Sequence, residues 1–318
     1  MRRIYTLEPL NSNIIEEITN ITGDEIVIID RQSFPLKSEM HASIEYLIAR
    51  DRDAISDIID VCPNLKFLFI VSTGVEKLPF SKLADHDVTV CNTSGINSTI
   101  MSEYVMGYIL AQSVRIRENL ENQQKHFWKR FQCVDSLSDK TLLVIGAGRT
   151  GQKIAEKAKV FGMRTLGIKN HISKVPNFDE VSNLDSLNKY LQDSDYVVCT
   201  IPLTPQTEGL FDYHKFSQMK PTATFINVSR GRIINQNDIK KALKNGLLSA
   251  AVLDVYETEP IASNDELWET PNLIMTPHSS GRLENFMETA MSHFFIPNYK
   301  TFINGKVPPN KVNLRNGY

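Results

Sequence analysis

Cysteine is scarce, with four among 318 residues. Cys62, Cys91, Cys133 and Cys199 lie far apart and form no Cys-x-x-Cys pair, which excludes a thiolate zinc site and a disulfide framework. Reduced, structural thiols and no metal centre are the expectation. Charge of one sign is also missing: 35 Lys plus Arg face 37 Asp plus Glu, a formal charge of -2. No basic field exists to hold nucleic acid or an anionic membrane. Long hydrophobic runs are absent too, since Phe67 to Val71 and Leu142 to Ala147 fall far short of the ~20 residues that cross a bilayer. After Met1-Arg2-Arg3 no apolar run of a secretory signal follows, so a cytoplasmic protein is expected. There is no internal repeat and no low-complexity tract. What is present is ordinary for a folded chain, 42% hydrophobic and 23% charged residues, and the length favours two domains at roughly 150 residues each.

Short β-branched or aromatic runs alternate with longer amphipathic stretches, the pattern of parallel sheets covered by helices. The first third predicts strands over Arg3 to Leu7, Glu25 to Asp30, Glu45 to Ala49, Lys66 to Val71 and Val88 to Cys91. Helices are predicted from Asn13 to Asn20 and from Ala54 to Val61, the latter stopped by Pro63. A single long helix is expected from Ser98 to about Asn122, with Gly107 as its only breaker. A second series then predicts six strands: Leu142 to Ile145, Thr165 to Ile168, Tyr196 to Thr200, Thr224 to Val228, Ser249 to Asp254 and Leu273 to Met275. Six strands make a complete dinucleotide-type sheet. A last helix, from about Leu283 to Ile303, is expected to return to the first unit.

The strand at Leu142 runs straight into Gly146-Ala147-Gly148-Arg149-Thr150-Gly151 and then into good helix formers. Gly146 permits the tight turn, Gly148 lets backbone approach a pyrophosphate, and Gly151 allows close packing of helix on strand. The helix start adds unpaired N–H groups and a positive dipole end. About 20 residues on, where an acid usually holds the ribose hydroxyls, the next strand ends in Lys169 and Asn170. Lysine accepts no hydrogen bond but pairs with a 2′-phosphate, with His171 and Lys174 nearby, which favours NADP(H). The alternative is a solvent-facing Lys169 and an NAD(H) site without an acidic anchor.

Three later strands end in reactive residues: Asn227-Val228-Ser229-Arg230-Gly231, Asp254-Val255-Tyr256-Glu257-Thr258-Glu259-Pro260, and Thr276-Pro277-His278-Ser279-Ser280-Gly281. Ligands of doubly wound sheets sit outside those carboxyl ends. Singly, Arg230, Glu259 and His278 read as surface or loop residues; after a dinucleotide turn they form a set.

These motifs, with Ile201-Pro202-Leu203-Thr204 and Thr207, resemble the D-isomer-specific 2-hydroxyacid dehydrogenase family over nearly the whole chain. Ser72-Thr73-Gly74-Val75 and Asn92-Thr93-Ser94-Gly95 also resemble family segments. The closing Arg315-Asn316-Gly317-Tyr318 looks most similar to short glyoxylate and hydroxypyruvate reductases. The resemblance implies an α/β protein of two doubly wound parallel-sheet domains. One is a Rossmann cofactor domain over 97–283; the other is a smaller flavodoxin-like substrate domain built from 1–96 and 284–318. It implies hydride transfer between NADP(H) or NAD(H) and a small 2-keto or 2-hydroxy acid, with His278 as general acid and base, Glu259 orienting it, and Arg230 holding the carboxylate. Backbone N–H groups of Gly74 and Val75 would receive that carboxylate from the other domain. Cofactor contacts are implied at the glycine turn, Lys169, Asn170, Pro202, Thr207, Val228, Ser229, Asp254 and Ser280, with Asp254 near the carboxamide; Asn227 would support the Arg230 turn. Structural roles compete at Asp254 and Asn227. Trp128 resembles a tryptophan that lines the substrate pocket in some relatives, reaching across a homodimer; core packing is the equal alternative.

Some positions depart from the family pattern. Glu76 stands where many relatives have Asp, and Ser102 where Ala commonly stands. Glu259 separates the chain from formate dehydrogenases, which carry Gln there, and the short C-terminus leaves no room for the regulatory domain of many phosphoglycerate dehydrogenases. No tyrosine has lysine four residues later, which excludes a short-chain dehydrogenase. The competing reading is a dinucleotide-sensing, corepressor-like binding protein.

Overall fold

Runs such as Tyr46–Ala49 and Phe67–Ile70 are buried at every residue, as strands covered on both faces must be. The computed structural model describes residues 1–31, 34 and 39–315; residues 316–318, the end of the closing motif, lie outside them. The chain divides into two units, Met1–Ile96 with Leu283–Tyr318, and Asn97–Arg282.

In the first unit β1 (Arg3–Thr6) leads to α1 (Ser12–Thr22), which starts where the Asn11 side chain accepts from Ile14 N at 2.9 Å and stops at left-handed Gly23, φ 73°. β2 (Glu25–Ile28), β3 (Tyr46–Ala49), α2 (Ile55–Val61), β4 (Phe67–Ile70), α3 (Phe80–Asp85) and β5 (Thr89–Asn92) follow. The five strands are parallel in the order β2-β1-β3-β4-β5, the flavodoxin-like arrangement.

The second unit opens with α4 (Ser98–Ser113) and α5 (Ile116–Gln124). The expected single helix is thus two, broken at Arg115, which is left-handed at φ 55°, and not at Gly107. Beyond Ser113 the apolar face gives out: α5 buries no residue, so nothing holds it along the line of α4. Next come β6 (Thr141–Ile145), α6 (Arg149–Val160), β7 (Arg164–Ile168), β8 (Glu180–Ser182), α7 (Leu187–Asp193), β9 (Tyr196–Cys199), α8 (Tyr213–Ser217), β10 (Thr224–Asn227), α9 (Gln236–Lys244), β11 (Ala250–Leu253) and β12 (Leu273–Met275). All seven strands are parallel, ordered β12-β11-β10-β9-β6-β7-β8. The six expected strands become seven because β8 is a three-residue edge strand, none of it fully buried, and carries little pattern. Aromatics Phe211, Phe216 and Phe225 fill one face, while Val105, Met106 and Ile109 of α4 pack with Ile154 and Ala158 of α6 on the other.

The chain then returns to the first unit through α10 (Phe286–Thr289), a π-helical stretch over Ala290–Phe295, and α11 (Ile296–Ile303). This run begins three residues later than expected. Pro297 has no N–H to give the preceding turn, and the next residue, Asn298, donates from Nδ2 to Phe294 O at 2.8 Å. Leu283, placed in the second unit from sequence, packs on the first unit's core of Ile4, Ile18, Phe69, Phe295 and Tyr299.

Candidate functional site

The turn after β6 needs its glycines for different reasons. Gly146 has φ 109°, and a Cβ there would lie 2.6 Å from Thr200 Oγ1; a Cβ on Gly151 would lie 2.1 Å from Gly146 O. Gly148 has nothing within 4 Å of its would-be Cβ, so room remains above the turn. Gly148 caps α6 without a side-chain hydrogen bond, leaving first-turn N–H groups for a ligand. Ala147 is buried and its N–H donates to Ile168 O at 2.9 Å, while Thr150 Oγ1 lies 3.1 Å from Ser98 Oγ. Thr200, which sequence reasoning missed, donates from Oγ1 to Gly146 O at 2.9 Å and pins the turn to the end of β9. An open, uncapped helix start at the point where strand order reverses, between β6 and β9, fits a dinucleotide pyrophosphate.

Around it, Lys169 is half-buried with its N–H on Ser182 O at 2.8 Å, and Asn170, His171 and Lys174 are exposed. Thr207 Oγ1 donates to Pro202 O at 2.7 Å, closing the loop after β9. Cys199 lies buried beneath, its thiol pushed up to about 11 by burial and therefore unreactive.

Strands β10, β11 and β12 pair with Asn227, Leu253 and Met275 in register, so the three reactive loops leave the sheet at one level. Asn227 Nδ2 donates to Arg230 O at 3.0 Å and its Oδ1 accepts from Ser229 N at 3.1 Å, which shapes the Arg230 turn. Val228 and Ser229 are buried, and half-buried Arg230 donates through NH1 to Ser229 O at 2.8 Å. A Cβ on Gly231 would sit 1.9 Å from the Tyr256 carbonyl carbon; only glycine lets the first loop lie against the second. Glu259 Oε1 accepts from Tyr256 N at 3.0 Å, and Oε2 meets His278 Nδ1 at 2.7 Å. The imidazole is 51% exposed, and its Nε2 makes no hydrogen bond among the described residues. His278 itself is left-handed at φ 51°.

Two further residues secure these loops. Asp254, fully buried, accepts from Thr276 Oγ1 at 2.7 Å and from the N–H groups of Ser279 and Ser280 at 2.8 and 3.0 Å. The Tyr256 hydroxyl lies 2.7 Å from Leu253 O and accepts from Thr276 N at 3.0 Å. Burial pushes that phenol up to about 12, so it stays a donor. Tyr256 was not singled out from sequence; a hydroxyl within a run of loop residues gives no periodic signal. Gly74 and Val75 belong to the first unit, in the turn after β4, where Asn92 Nδ2 donates to Thr73 O at 3.0 Å. Trp128 is 87% exposed, which overturns the core-packing alternative. It lines a surface recess of about 520 Å³ with Asn119, Asn122, His126 and Arg130.

Residues 106–280 match the family model for the NAD binding domain of D-isomer specific 2-hydroxyacid dehydrogenases. The chain is 29% identical over 329 aligned positions to a D-3-phosphoglycerate dehydrogenase of Methanocaldococcus jannaschii, covering 99% of this chain but only 60% of that relative. It is 28% identical to a glyoxylate reductase of Thermococcus kodakarensis, over 88% of this chain and 89% of the relative. A crystal structure of a D-isomer specific 2-hydroxyacid dehydrogenase family protein from Aeromonas salmonicida superposes with a TM-score of 0.83 at 31% identity, covering 98% of this chain and 99% of that one.

The Gly231 contact yields a prediction. Gly231→Ala is expected to lower unfolding free energy by ~1–3 kcal/mol, as overpacking a tight contact does, measured by denaturant titration; a variant as stable as wild type would mean the Arg230 and Glu259 loops are not in backbone contact.

Proposed function

Because the chain belongs to the D-isomer specific 2-hydroxyacid dehydrogenase family, we propose that it reduces a small 2-keto acid, of the size of glyoxylate or hydroxypyruvate, to the 2-hydroxy acid. The observation that carries this reading is the 2.7 Å pair of His278 Nδ1 and Glu259 Oε2 beside the Arg230 loop, with Nε2 open. When bound, the nicotinamide supplies the hydride. His278 gives the proton from Nε2 to the oxygen of the former carbonyl, and takes it back in the reverse direction. Glu259 accepts from Nδ1, fixing the tautomer and the direction in which Nε2 points. Arg230 presents a planar fork of donors for the substrate carboxylate. Asp254 and Ser280 would border the nicotinamide, and the Gly146 to Gly151 turn would hold the pyrophosphate.

Lys169 closes the end of β7, where an acid would repel a 2′-phosphate and a lysine attracts it. We therefore assign NADPH as the preferred cofactor, with NADH accepted. Unpaired thiols and a reduced dinucleotide go with a cytoplasmic location. Ile116, Leu120, Phe127, Trp128 and Phe131 are all exposed, in a segment that carries both Arg117, Lys125 and Lys129 and Glu118 and Glu121. A surface of mixed sign suits an identical copy of itself, and we assign it to a homodimer. Nothing in the comparisons favours the binding-only reading.

Purified protein mixed with NADPH and glyoxylate or hydroxypyruvate is expected to oxidise the cofactor, followed by absorbance; binding without oxidation across a panel of 2-keto acids would reject the enzyme reading. His278→Asn is expected to lower the chemical step by at least ~100-fold, the scale of lost general-acid catalysis, in single-turnover kinetics. Lys169→Asp is expected to weaken NADPH far more than NADH in titration calorimetry; equal losses would remove Lys169 from the cofactor contact. Light scattering should give twice the chain mass for wild type and a monomer for Trp128→Ser combined with Phe131→Ser.

A further inference from the structure

The turn that carries His278 is held in a conformation that a histidine rarely adopts, with φ 51°. Its own chain supplies the restraint, since Thr276 Oγ1 and the N–H groups of Ser279 and Ser280 all bind the buried Asp254 carboxyl group. Among the described residues one more donor reaches Asp254, and it comes from outside the sheet. Tyr104, on α4, places its hydroxyl 3.3 Å from Asp254 Oδ1. That hydroxyl also interacts with the side chains of Thr276, Ser279 and Tyr108, so it sits in a polar cluster that includes two residues of the His278 turn. The ring is half-buried and packs against Tyr108, centroids 5.0 Å apart. A phenylalanine would pack there equally well; the hydroxyl is what the cluster uses.

Asp254 is paired with no cation in the described residues and relies on hydrogen-bond donors alone, so each donor bears on where its two oxygens point. Burial raises the Tyr104 phenol above its ordinary value, and the group therefore remains a donor throughout the range in which an imidazole titrates.

We propose that Tyr104 is a positioning residue for His278: through Asp254 it fixes the Ser279–Ser280 turn, and with it the direction in which the imidazole Nε2 faces. The inference rests on the reading of His278 as the general acid, and it adds a helix outside the catalytic loops to the parts that aim this acid.

The test is Tyr104→Phe, which keeps the ring. In the apo protein, amide hydrogen exchange at Ser279 and Ser280 is expected to quicken by about fivefold, the size of one modest hydrogen bond, with exchange in the Arg230 loop unchanged and the melting temperature lowered by no more than about 4 °C. With NADPH and a 2-keto acid, kcat is expected to fall by about fivefold while KM for the keto acid stays at the wild-type value. Thr276→Val removes a second donor to the same oxygen, and the two substitutions together should lose less kcat than the product of their single losses. Unchanged exchange at Ser279 and Ser280 overturns the proposal whether or not the wild type turns over. An active wild type with equal kcat in Tyr104→Phe, or losses that multiply fully in the double variant, also overturns it. A wild type inactive on every keto acid defeats the function assigned above, and the exchange result still decides the role of Tyr104.

Discussion

Parallel register at the carboxyl ends of β10, β11 and β12 is the constraint on which the site depends. Because Asn227, Leu253 and Met275 stand side by side, the chain leaves the sheet three times at the same height, and residues far apart in sequence begin their loops as neighbours. Strand pairing brings the loops to one place but does not close the gap between them. That is done by a glycine whose missing side chain admits the Tyr256 backbone, by the Tyr256 hydroxyl across two strand ends, and by a buried carboxyl group that gathers the last turn. The imidazole and its carboxylate partner are the outermost layer of this assembly.

Most of the fold was readable because its signals are local. The glycine turn stands between an apolar run and a run of helix formers, and each of its three glycines meets a different local demand. Strands buried on both faces announce themselves as apolar runs, as Thr141–Ile145 does. Residue types at the strand ends also spoke plainly, since an arginine, a glutamate and a histidine after three successive strands are a chemical set before they are a geometric one. What escaped was what depends on partners distant in sequence. Thr200 looks like any threonine at a strand end until the Gly146 carbonyl is found beneath it. Tyr104 reads as one apolar residue of a helix face. The break at Arg115 follows from α5 having no core to lie on, which no residue at the break itself declares, and β8 is too short and too exposed to carry a pattern.

The charged residues near the site divide by surroundings. Asp254 is enclosed and satisfied by uncharged donors, whereas Glu259 and His278 remain in contact with water and with each other. The first sort of arrangement gives rigidity and the second leaves an imidazole edge open to solvent, and this sheet provides both on adjacent loops.

The smaller unit draws its core from residues near both ends of the chain, with Ile4 and Ile18 packed in one cluster with Phe295 and Tyr299. The larger unit lies wholly between these segments. On the ribosome, where domains tend to fold as they emerge, the inserted unit is therefore complete before the outer one, which has its strands early but its closing helices last. The first five strands must wait, with Phe67 and Phe69 uncovered, until the final helices have been synthesised. Such a chain folds from the middle outward, and its longest-lived sticky surface during translation is the first sheet it makes.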